Sequence, residues 1–202
     1  MTFIYFFGLA GVFVFALTGA LAANRSDMDI FGHVVLAMLP AIGGGTLRDL
    51  ILDVPVFWLG APIYIWLAIA AAVIIYFFPP KVGRRLTALE WADAVGLSLF
   101  CVLGAAKAFA LTGNMTISVT MGIVTAVVGG MLRDIVCNEV PLILQKEIYA
   151  TAALIGGLVY CVCVKAGTGE GIAMMLGGGA AFIVRGCALH FGWSLPQRKP
   201  KT

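Results

Sequence analysis

Two stretches decide how this chain folds: Leu39-Pro40-Ala41-Ile42-Gly43-Gly44-Gly45-Thr46-Leu47-Arg48-Asp49 and Val128-Gly129-Gly130-Met131-Leu132-Arg133-Asp134. Both contain Gly-Gly-x-Leu-Arg-Asp, and the second copy follows the first at an offset of 85 residues. The same offset lays Gly11 on Gly96, Phe15 on Phe100, Gly19-Ala20 on Gly104-Ala105 and Ile63-Tyr64 on Ile148-Tyr149, without a gap. Small and apolar coincidences are cheap in a biased composition. A repeated Arg-Asp pair behind a glycine pair is not.

Around these blocks the chain is a series of apolar runs. Of its 202 residues 61% are hydrophobic and 11% charged, against about 25% charged in an ordinary soluble domain. The runs predict helices at about 3–23, 30–52, 60–78, 89–112, 117–138, 147–164 and 171–193. Each approaches the roughly 20 residues that a helix needs to cross a bilayer, so the fold class is an all-α integral membrane protein with seven transmembrane helices. The first run begins at Phe3 with no basic region ahead of it and Arg25 behind it, which predicts a retained helix and not a cleaved signal. With the N-terminus outside, Arg25, Lys81, Arg84, Arg85, Lys146, Arg198, Lys199 and Lys201 fall on the cytoplasmic side and only Lys165 opposite. The bias of basic residues towards the cytoplasm therefore predicts a multi-pass protein of the inner (plasma) membrane, N-terminus out and C-terminus in.

The offset divides the chain into a three-helix unit over residues 1–80, a second over 89–164, a seventh helix at 171–193 and a basic tail at 194–202. Three is odd, so the second unit enters the membrane from the opposite side and the repeat is inverted. Inverted repeats place their functional site near the midplane, where discontinuous helices expose backbone groups.

Gly43, Gly44, Gly45 and Thr46 in the second helix, and Gly129 and Gly130 in the fifth, are the candidate break points. Glycine costs a helix interior about 1 kcal/mol, and Pro40 deletes a backbone hydrogen bond. Two readings stand: a functional kink whose freed carbonyls line a wet path, or close helix packing through small residues. The second reading suits Gly177-Gly178-Gly179.

Arg48, Asp49, Asp93, Lys107, Arg133, Asp134 and Arg185 all fall inside predicted spans, where ionisable side chains must face protein or water. At 1.5 Å per residue, Arg48, Asp49 and Lys107 share one level, and Asp93, Arg133, Asp134 and Arg185 the other. Residues adjacent on a helix do not face each other, so pairing across helices is expected: Asp49 with Lys107, and Asp93 or Asp134 with Arg133 or Arg185. These pairs read either as structural locks or as parts of a working site. Lys107 stands apart because its repeat mate is Ala22, and a cation in the membrane field makes it the candidate gate or voltage sensor. Asp53, Pro55, Glu139 and Pro141 are expected to cap the broken helices, and Trp58, Trp66, Trp91 and Trp193 to anchor at the interfaces. His33 and His190 read as packing residues, and the five cysteines as small apolar ones.

The same features exclude several classes. There is no basic face for nucleic acid, no metal-type Cys-x-x-Cys pair and no converging His or Ser-His set for an enzyme, so neither a structural metal nor a cofactor is expected. A channel and a transporter remain. Thr18, Thr46, Ser98 and exposed carbonyls would suffice for a partly hydrated cation, whereas no midplane carboxylate awaits an amino group.

Gly43-Gly44-Gly45-Thr46-Leu47-Arg48-Asp49, Gly129-Gly130-Met131-Leu132-Arg133-Asp134, Asp93-Ala94-Val95-Gly96-Leu97, Gly104-Ala105-Ala106-Lys107-Ala108 and the ending Trp193-Ser194-Leu195-Pro196 resemble the bacterial branch of the trimeric intracellular cation (TRIC) channels. The resemblance implies a homotrimer with one pore per subunit, lined by kinked second and fifth helices. It implies passage of monovalent cations, chiefly potassium, with potassium or sodium in the pore as its only metal, and lipid bound near the pore or the subunit contacts. By position the kinks would be Gly44, Gly45, Gly129 and Gly130, and the gating lysine Lys107. Val128 stands where the second helix has Gly43, a departure that makes the second kink tighter. The same domain also carries the label glycine transporter, which keeps a small amino-acid transporter as the alternative.

Overall fold

Long apolar runs condense into helices. The computed structural model describes residues 2–81, 84–145 and 148–194. Its seven helices are α1 (Thr2–Arg25), α2 (Ile30–Ile51), α3 (Ile63–Phe77), α4 (Arg85–Thr112), α5 (Met115–Val136), α6 (Ala150–Lys165) and α7 (Glu170–Phe191). Lys146, Arg198, Lys199, Lys201 and the Leu195-Pro196 ending lie outside the described residues. The starts of α2 and α5 are capped alike. Asp29 accepts from the Gly32 amide, and its repeat mate Asn114 accepts from Thr116 and Ile117. Five helices are long and apolar enough to cross a membrane, while α3 and α6, of 15 and 16 residues, are shorter. At 1.5 Å per residue these two reach only about 22–24 Å, so the third helix of each unit is the short one.

The two units meet by a pseudo-two-fold contact. A Cβ on Gly44 of α2 would be driven into the Thr125 carbonyl of α5, and one on Gly129 of α5 would stand 2.6 Å from the Pro40 carbonyl of α2. Pro40 and Thr125 are repeat mates, as are Gly44 and Gly129, so the contact is the same patch used twice. Gly11 packs on Phe100 and Gly96 on Phe15 in the same reciprocal way, and the two phenyl rings meet edge-on at 4.9 Å. In both pairs an early position on one helix faces a late one on its mate. The mates run antiparallel, and the repeat is inverted.

One expectation needs correction. Helical backbone continues through both glycine motifs, with Pro40 inside α2, so neither helix is broken. The missing Cβ atoms let α2 and α5 cross at backbone contact, which is the close-packing reading. Gly45 and Gly130 turn instead towards Phe57 and Tyr149. The core that results is apolar and small-residue-rich: Ala16, Ala20, Ala37, Ala41, Ala105 and Ala126 are all buried. All five cysteines are free, and His33 is buried with Nδ1 2.9 Å from the Asp29 carbonyl.

Candidate functional site

Both Arg-Asp blocks end their helices with one construction. In α2 the buried Asp49 carboxylate receives Arg48 through Nε and Nη2, both at 2.8 Å from Oδ1. Its other oxygen accepts the Phe57 amide at 2.9 Å. Beyond the helix end, the Val54 amide donates to the Asp49 carbonyl and Asp53 takes a left-handed φ of 52°. In α5 each element recurs 85 residues later. Arg133 Nε and Nη2 stand 2.8 Å from Asp134 Oδ1, Oδ2 accepts the Leu142 amide at 3.1 Å, the Glu139 amide donates to the Asp134 carbonyl, and Asn138 sits at φ 56°.

The surroundings then differ. At the first block Lys107 reaches across from α4 and places Nζ 2.7 Å from Asp49 Oδ1. At the second, Arg133 turns Nη1 to Asp93 of α4 at 2.8 Å and to the Thr18 hydroxyl of α1 at 2.9 Å. Arg133 and Asp93 are fully buried, whereas the Lys107 side chain keeps 32% of its exposure. Buried charges survive only when paired, and in both clusters each of these charges has an opposite charge within 2.8 Å.

The expected cross-helix pairs Asp49–Lys107 and Asp93–Arg133 are present. The expectation that adjacent Arg and Asp would not pair is overturned at both blocks. The spacing rule concerns where Cβ atoms point; a guanidinium on its long stem curls back to the next residue when burial leaves it no water. The expected caps act through their backbone, the Asp53 and Glu139 amides donating to the Leu50 and Asp134 carbonyls; the side chains of Asp49 and Asp134 accept the loop amides, and the Glu139 carboxylate pairs with Arg25 at 3.0 Å. Arg185 of α7 lies over the Tyr149 ring at 5.1 Å and donates to the Ile148 carbonyl. The hydroxyls set aside for a cation are already engaged. Thr46 donates to the Ile42 carbonyl and accepts from the Trp58 indole, which is therefore part of the site and not only an interface anchor. Thr18 and Ser98 donate to the Phe15 and Val95 carbonyls.

A cavity of about 360 Å³ opens beside the first block, walled by Gly8, Arg48, Phe57, Tyr64, Leu103 and Lys107 among others. A second, of about 230 Å³, lies at the other block and is edged by Arg25, Glu90, Arg133, Asp134 and Glu139. Phe57, Tyr64 and Tyr149 were not singled out by the motifs. The aligned Ile-Tyr pair at residues 63–64 and 148–149 was the signal that could have found the tyrosines.

Comparison with known proteins places this geometry. The family described as "Glycine transporter" matches residues 5–80 and again residues 90–165. The UPF0126 inner membrane protein YadS of Escherichia coli is 38% identical over 201 residues, covering 96% of this chain and 95% of that protein. The TRIC trimeric intracellular cation channel orthologue from Rhodobacter sphaeroides superposes with a TM-score of 0.91 at 41% identity, over 96% of this chain and 100% of that one. A second solved TRIC cation channel matches at a TM-score of 0.87 and 36% identity, over 98% of each chain. The chain belongs to this family of membrane proteins, matched twice along its length by the glycine-transporter description and sharing its fold with the bacterial TRIC channels.

Proposed function

We propose that this protein is a monovalent cation channel, permeable to potassium, with a pore in each subunit of a homotrimer. The observation that carries the reading is the likeness over the whole fold, at 41% identity, to a protein solved as a trimeric cation channel. The pore runs along α2 and α5 between the two cavities, past the crossing of Gly44 and Gly129. The glycines Gly43, Gly44, Gly45, Gly129 and Gly130, with Thr46, shape its wall. Arg133 is met by both Asp93 and Asp134, whereas Arg48 shares Asp49 with Lys107, so the positive charge a cation meets is concentrated at the end where the gate lies.

Lys107 is the gate. It bridges α4 to α2 through one ion pair at a cavity wall, and moving an elementary charge across the membrane is worth about 2.3 kcal/mol per 100 mV. The protein sits in the inner membrane with its N-terminus outside and its C-terminus in the cytoplasm, and lipid packs near the pore and the subunit contacts. Purified protein in liposomes under a potassium gradient tests the reading: potassium flux that collapses the gradient is expected. Saturable glycine uptake without potassium current would replace the channel by a transporter, and crosslinking that stops at dimers would remove the trimer.

A further inference from the structure

The pseudo-two-fold leaves one guanidinium nitrogen in an unequal position. At the second block Arg133 Nη1 is filled by Asp93 and Thr18. Their repeat mates at the first block are Gly8 and Leu103. Neither has a side chain that can accept a hydrogen bond, and both line the 360 Å³ cavity. Arg48 uses Nε and Nη2 on Asp49, as Arg133 does on Asp134. Among the described residues, its Nη1 has no hydrogen-bond partner, although the Arg48 side chain is only 7% exposed. Tyr64, mate of Tyr149, faces the same spot: a Cβ on Gly8 would stand 2.9 Å from its hydroxyl.

Charge tells the same story. Around the second block two cations, Arg133 and Arg185, accompany two carboxylates, Asp93 and Asp134. Around the first, Arg48 and Lys107 share the single carboxylate of Asp49. The other charge on the cavity wall is Glu170, exposed at the start of α7, where water screens it.

We propose that the cavity beside Arg48 is a binding site for a carboxylate with an apolar body. The ligand carboxylate takes the position that Asp93 holds in the other half, accepting from Arg48 Nη1 and from the Tyr64 hydroxyl. Charge-assisted bonds of this kind are the strong ones. Val12, Phe100 and Leu103 supply an apolar wall for the rest of the molecule. The cavity has room well beyond a carboxyl group, since one water's share of liquid volume is about 30 Å³. The shared chemistry has two sources, a free short-chain carboxylic acid and an acyl-chain carboxylate from the bilayer. On the channel reading, occupancy cancels the surplus positive charge that a permeating cation meets at this end.

The test is calorimetric titration of the purified full chain in uncharged detergent with propionate, with decanoate, and with propionamide as the uncharged isostere. Saturable heat with either acid and none with propionamide is expected. Binding of both acids assigns the site to free carboxylates; binding of decanoate alone assigns it to acyl chains. Two variants should each weaken binding at least tenfold: Arg48→Gln removes the positive charge and the guanidinium fork, and Gly8→Asp supplies an internal carboxylate in place of the ligand's. If one variant elutes as aggregate the other decides, and the propionamide comparison needs neither. Absence of saturable heat from both acids, equal heat from propionamide, or unchanged affinity in Arg48→Gln would overturn the proposal. Heat reports binding without current, so a failed channel reading and a failed site give different results.

Discussion

The Arg133 and Arg48 blocks are the same backbone construction set among different neighbours. Around Arg133 the charged groups are buried: Asp93 is fully so, Asp134 nearly so, and Nη1 is shared between Asp93 and the Thr18 hydroxyl. Around Arg48 the third charged partner is Lys107, with a third of its side chain exposed, and a cavity replaces the carboxylate of the other half. Two exchanges make most of this difference, Gly8 for Asp93 and Ala22 for Lys107 in the repeat register. An inverted repeat duplicates the frame, and single substitutions then leave one end fully buried and the other partly exposed.

Variants that break the comparison should follow that ranking. Asp93→Ala is expected to cost most, about 3–5 kcal/mol, because it leaves a buried guanidinium with one partner fewer; thermal unfolding in detergent measures the loss. Next come Gly44→Ala and Gly129→Ala, each pressing a methyl into a carbonyl across the helix crossing, at about 1–3 kcal/mol. The two-fold requires their midpoints to fall together, and a large drop in one with none in the other would break the symmetry argument. Lys107→Ala should cost under about 1 kcal/mol, since Asp49 keeps Arg48 and the Phe57 amide and the lost pair is partly solvated. Smallest is Arg25→Gln. The Arg25–Glu139 pair is 30% and 43% exposed, so about 0.3 kcal/mol is expected, vanishing in high salt.

Much of this frame was legible before the structure. The 85-residue offset foretold the inverted repeat and which charges share a level, because helical rise turns sequence distance into depth. Asp49–Lys107 followed from that, and Asp93–Arg133 was one of the pairings left open at the other level. What was not legible depended on side-chain reach and on the absence of atoms. Spacing rules place Cβ atoms, so they could not show Arg48 and Arg133 curling back onto Asp49 and Asp134. The glycines of α2 and α5 read equally as breaks or crossings until Thr125 and Pro40 were seen against them. The cavity at Gly8 was invisible because nothing marks a position whose mate is a buried acid, except the alignment itself.

On the proposed function the Arg48 end moves, and Lys107 moves it. Single-channel recording of wild type beside Lys107→Ala, in symmetric potassium chloride, tests this most directly. The account predicts potassium-carrying openings in both, with the voltage dependence of open probability altered in the variant while its unfolding midpoint stays near wild type. Superimposable open-probability curves would contradict it.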